Sequence, residues 1–141
     1  MPRERHYINN LQRQFLDRII ARFLDTYGRF YEQGHTLASL RTPDRHNATV
    51  RARFHLIWIL RLCGVGVKDI AEILNRHHTT ISDSAQAHRA MMDVYPGYRA
   101  TAARIMAETI GAEGSTEYKY STSAYSALPK REYTPMIQPE D

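Results

Sequence analysis

A chain of 141 residues, 43% hydrophobic and 24% charged, carries enough apolar material for one globular domain and too much for an unstructured polymer. Its single cysteine, Cys63, lies inside an apolar run, which excludes a disulfide framework within the chain and fits a reducing compartment. No run of 18 apolar residues occurs, and no apolar stretch follows the charged residues 1–5, so neither a membrane span nor a signal peptide is expected. The net charge of +4 is unevenly spread: residues 1–40 carry +2, residues 41–111 carry +4 and residues 112–141 carry −2. The middle segment also holds five of the seven histidines. A surface that meets a polyanion has this distribution, and so does a solvated basic face.

The first element is a long helix over residues 8 to about 32. Ile8, Leu11, Phe15, Ile19, Phe23, Tyr27 and Phe30 recur at helical steps, and Leu16, Ile20, Leu24 and Tyr31 widen the stripe. Gly28 weakens its last turn and Gly34 stops it. The stripe keeps no strict heptad, so it packs within the globule or against a second copy. Residues 34–48 read as a connector, with Thr42-Pro43-Asp44 resembling a helix start. A core helix follows from about residue 49 to 63, through Val50, Phe54, Ile57, Trp58 and Leu62. Gly64-Val65-Gly66 ends it.

Residues 67–81 then read as two helices joined by a tight polar turn. Ile70, Ala71, Ile73 and Leu74 supply an apolar face at helical spacing. Asn75 tolerates the left-handed conformation such a turn needs. Thr79 or Thr80 can cap the next helix, and Ile81 returns to the core. This is helix-turn-helix spacing, in which the second helix lies in the DNA major groove. That second helix is expected over residues 79–94, broken by Pro96-Gly97, and a last helix over residues 98–110. In residues 112–141 glycine, serine, threonine and proline replace the apolar period, so a flexible tail is expected there, with four tyrosines as anchors for a partner or a second copy.

The expected fold is all-α: a helix-turn-helix bundle of about five helices, with a long N-terminal helix and a flexible C-terminal tail. Residues 1–40 serve packing or dimerisation, residues 41–111 form the helix-turn-helix unit, and residues 112–141 form the tail.

From Arg51 to about Arg104 the chain resembles the C-terminal DNA-binding domain of the bacterial replication initiator DnaA. Phe54-His-Leu-Ile-Trp-Ile-Leu-Arg-Leu62 looks like that family's apolar helix, and Val67-Lys-Asp-Ile-Ala-Glu-Ile-Leu74 like its Leu-Pro-Glu-Ile-Gly helix. Arg76-His-His-Thr-Thr-Ile81 looks like its Arg-Asp-His-Thr-Thr-Val signature. The run His88-Arg-Ala-Met-Met-Asp-Val-Tyr-Pro-Gly-Tyr-Arg99 looks like the helix and turn that follow. The resemblance implies sequence-specific binding of double-stranded DNA, in replication or transcription control of a bacterium or its phage, and therefore a cytoplasmic location. It implies that His78 and Thr79 reach bases and that Thr80, Arg76 and Lys68 hold phosphates. Arg45, Arg51 and Arg53 are candidates for the family's arginine-rich contact ahead of the core helix.

Three departures bear on what would be read. His77 replaces an aspartate, exchanging an acceptor for a group that can donate to guanine or phosphate. Asp83, beside Ser82 on the same helix, stands where the family often has histidine and suits a cytosine amino group. The turn is one residue shorter. No Gly-x-x-x-x-Gly-Lys-Ser/Thr loop exists in the chain, so the initiator's ATPase is absent.

No metal site is expected, because adjacent His77 and His78 diverge by about 100° on a helix and no cysteine pair or His-Glu-x-x-His accompanies them. No catalytic constellation and no cofactor motif is visible, so an enzyme is not expected. The alternative to a DNA-binding regulator is a phage structural or packaging protein, such as a small terminase subunit or virion component. Such a protein would reuse the helix-turn-helix and form a homo-oligomer through the N-terminal helix or the tail.

Overall fold

In the computed structural model, residues 10–116 are described, and all of their regular structure is helical. The chain folds as α1 (Asn10–Tyr31), α2 (Leu37–Leu40), α3 (Asn47–Leu62), α4 (Val67–Leu74), α5 (His78–Val94) and α6 (Pro96–Thr116). Six helices thus stand where the sequence pattern predicts about five. The extra one, α2, is a single turn inside the expected connector. At four residues, Leu37-Ala-Ser-Leu40, it is too short for an apolar period to betray it. Thr36 and Ser39 hold it as a capping box, each side chain bonding the other's backbone N–H.

α3 is the centre of the bundle. It touches each of the other five helices. Ala52, Leu56, Ile57, Ile59 and Leu60 are all fully or almost fully buried, so nearly every side of the helix meets protein. α1 lies along α6 and α3, and its stripe of Phe15, Leu16, Ile19, Ile20, Phe23 and Tyr27 is buried within the same core. α4 and α5 close the other end, α5 packing on α3 and on α6.

Several element ends differ from the sequence expectation, each for a local reason. α1 stops at Glu32, which takes a left-handed conformation (φ 53°), two residues before Gly34. Gln33 N–H bonds back to the Gly28 carbonyl at 3.2 Å, closing the end of the helix. A side-chain carbon at Gly28 would lie 3.3 Å from the Gln33 oxygen, so glycine suits that close approach. α3 begins at Asn47, two residues early, while Thr42-Pro43-Asp44 forms the turn ahead of it. The Asp44 carboxylate accepts from His46 N–H (3.0 Å) and from the Thr49 hydroxyl (2.8 Å). Those bonds hold its carboxyl below the usual range. Pro96 opens α6 as its first residue, where a missing N–H costs nothing, rather than breaking the chain ahead of Tyr98. Helical structure continues to Thr116 across a kink at Gly111 (φ 53°, ψ −165°). It therefore runs into the stretch expected to be a tail, and the remainder of that tail lies outside the described residues, as does Ile8.

Four helices meet at a buried cluster of imidazole and phenol rings: Tyr27 and Tyr31 of α1, His55 of α3, His88 of α5 and Tyr98 of α6. His55 and His88 are both 0% exposed, with ring centroids 4.8 Å apart. His88 Nδ1 and the Tyr98 hydroxyl are hydrogen-bonded at 2.8 Å. Both nitrogens of His55 are buried without a hydrogen-bond partner. Burial holds His88 down to about 4. Burial, then His88 and Arg51, hold His55 down to about 2. Two neutral histidines are thus part of the core.

Candidate nucleic-acid interface

The candidate interface begins with how α4 hands the chain to α5. Asn75 adopts the left-handed conformation (φ 57°, ψ 49°) that the sequence predicts. Arg76 N–H then bonds the Ala71 carbonyl at 2.9 Å, and Asn75 N–H the Glu72 carbonyl at 3.3 Å. These satisfy carbonyls the helix end would leave open. Residues 75–77 complete the turn, Ile81 is buried at 1% exposure, and the first turn of α5 is left facing solvent.

The cap of α5 differs from the expectation. Neither Thr79 nor Thr80 supplies it; His77 does. Its Nδ1 accepts from Thr79 N–H at 3.2 Å and lies 2.9 Å from Thr79 Oγ1. Because Nδ1 accepts, the ring proton lies on Nε2, which becomes a donor. The His77 ring stacks on His78, centroids 4.4 Å apart. His77 therefore performs the capping function that an aspartate performs well and adds an N–H.

His77, His78, Thr79, Thr80, Ser82 and Asp83 are all exposed. Thr79, Ser82, Asp83 and Gln86 fall three, four and seven apart, on one helical stripe. Gln86 is exposed and was not among the residues the motif selects. Its spacing from Thr79 is the signal that finds it. No acidic residue occupies the first turn of α5, so the positive end of its dipole is not offset there.

The candidate cations divide. Lys68, near the start of α4, and Arg45, in the turn before α3, are exposed. Arg76 is partly exposed; its guanidinium donates to the Thr42 carbonyl and, at 3.3 Å, to the Asn75 carbonyl. Arg45, Arg76 and Thr80 line one cleft. Arg51 and Arg53 are corrected. Two positions apart on α3, they point about 200° apart and cannot share a surface. Arg53 is only 7% exposed, its Nε donating to Leu40 O (2.8 Å) and its Nη2 to Thr42 O (2.6 Å). Arg51 is half-buried on the α1 side, donating to the Tyr27 hydroxyl at 3.3 Å and lying 4.8 Å over the Tyr31 ring. Both hold the fold rather than face a ligand.

Arg41, which sequence reasoning missed, ties this region together. Its Nη1 donates to Ile73 O (2.7 Å) and Glu72 O (3.2 Å), covering the C-terminal carbonyls of α4 with a positive charge. Arg41, Arg53 and Arg76 thereby bind the 41–46 segment to the turn and the core helix. The bonds span 11 to 34 residues, so no local pattern announces them.

Among the described residues, no group of histidine, cysteine and carboxylate side chains could hold a metal ion. No described helix is long and apolar enough to cross a membrane. No protein-family model matches the chain, and no curated protein or solved structure matches it.

Proposed function

We propose that the chain binds double-stranded DNA sequence-specifically, with the N-terminal half of α5 in the major groove, and acts in replication or transcription control. The observation that carries this reading is the solvent-facing first turn of α5. Four consecutive polar side chains, His77 to Thr80, stand on a helix anchored beneath by Ile81. A major groove admits one α-helix and offers it a row of donors and acceptors. The resemblance of this segment to the DnaA signature supports the same assignment.

The roles proposed for the side chains rest on their donor and acceptor chemistry. His77 Nε2–H and His78 suit guanine or phosphate acceptors; Ser82 and Thr79 suit either; Asp83 suits a cytosine amino group; and Gln86 suits adenine. Arg45, Lys68 and Arg76 supply phosphate contacts. The test is titration of a fluorescent mixed-sequence duplex across a salt series. With three cations on phosphates, log K should fall against log salt with a slope of about −3. A chain that binds no duplex at low salt does not have this function.

A further inference from the structure

Beside the first turn of α5 lies a cleft of about 620 Å³, within the size range of small-molecule sites. Its accessible apolar lining is Pro43 with Val50 and Phe54 of α3, and Ile57, Leu74 and Ile81 lie beneath, each at most 1% exposed. Arg45, Arg76, Thr80 and Ser84 also line it, and Arg53 lines it with a guanidinium tied into the fold by the Leu40 and Thr42 carbonyls. No carboxylate lines it. Arg53 and Arg76 are pre-positioned by the carbonyl of Thr42. Arg45 is exposed and makes no hydrogen bond or ion pair among the described residues, so it is available to an incoming charge.

We propose that this cleft binds a small organic anion, a ring system seated against Pro43, Val50 and Phe54 with one carboxylate, sulfonate or phosphate held by Arg45 and Arg76. Opposite demands of the two kinds of lining select that class. A neutral ring leaves the guanidiniums uncompensated, and a bare inorganic anion leaves the apolar lining wet. A DNA phosphate meets the guanidiniums but has no apolar body for that lining. Arg76 and Thr80 belong both to the cleft and to the proposed DNA face. Occupancy therefore competes with DNA, a consequence that rests on the function proposed above, whereas the binding itself does not.

The probe is 8-anilinonaphthalene-1-sulfonate, which pairs fused rings with one anionic group and brightens on leaving water. The full chain should bind it one to one with a blue-shifted emission. Arg45→Ala, a change at an exposed side chain, should weaken binding about tenfold, the loss of one charge-assisted hydrogen bond. Ser84→Trp, which plugs the mouth, should abolish it; circular dichroism checks that both variants fold. The uncharged analogue N-phenyl-1-naphthylamine should bind more weakly, and inorganic phosphate should not displace the probe at equal concentration. No fluorescence change, or equal binding by the wild type and both variants, overturns the site. A saturating probe should also release duplex DNA. A chain that binds the probe but never DNA refutes the DNA reading and leaves the cleft standing.

Discussion

His77 does two things with one ring. Its Nδ1 closes the open end of α5 and its stacking contact orients His78, so the residue also organises the exposed first turn of α5. Replacing it with alanine should cost about 1 kcal/mol of stability through loss of the cap, measurable as a lower urea midpoint. His77→Asp should restore most of that, since aspartate caps well, while changing the bases selected. Thr79→Ala and Gln86→Ala should leave stability almost untouched and relax base preference by about 1–3 kcal/mol at separate positions of the bound sequence. If Thr79→Ala leaves the selected bases unchanged, that side of α5 is not the reading side. Arg53→Ala should behave differently from any contact residue. It deprives the Leu40 and Thr42 carbonyls of their donor and should destabilise the fold by about 1–3 kcal/mol, with weaker DNA binding only as a consequence.

At the scale of helices, the apolar period made α1, α3, α4 and α5 legible, because each buries a face at 3.6-residue spacing and Asn75 marks the turn between the last two. The ends were less legible. Glu32 rather than Gly34 stops α1, and Pro96 starts α6 two residues ahead of the expected Tyr98, each through backbone geometry local to the helix end. The outward turn of α5 could be read from Arg76 to Ile81. The internal duties of Arg51 and Arg53 could not, because their partners, Tyr27, Leu40 and Thr42, are 24, 13 and 11 residues away. Nor did an apolar stripe reveal that His55 and His88 meet where four helices cross. That meeting makes the fold acid-sensitive, with a definite sign. Both imidazoles titrate lower in the folded chain than in the unfolded one, so the unfolded state takes up protons first as pH falls. Their contribution is complete above the ordinary histidine value of 6.5 and is lost below it, down through about 4 for His88 and further for His55. Unfolding free energy should therefore drop by about 1.4 kcal/mol per pH unit for each histidine below pH 6. His88→Phe should flatten that slope in a denaturant series at pH 6.5, 5.5 and 4.5.

The whole molecule combines a rigid support with one exposed polar turn. α1, α3 and α6 carry most of the core, and α3, α4 and α6 pack against α5, so its exposed first turn is placed by the helices around it. Residues 41–111, which include that turn, carry a net charge of +4, and α1 carries +2. Mass in solution with and without duplex distinguishes a regulator from an assembling packaging protein, a monomer or dimer favouring the first and a ring-sized particle the second. The most direct measurement is selection of bound duplexes from a random pool by the full chain, repeated with Thr79→Ala. A defined motif of several base pairs, degraded at one position by the substitution, is the predicted result. Enrichment of no motif, or the same motif from both proteins, would contradict it.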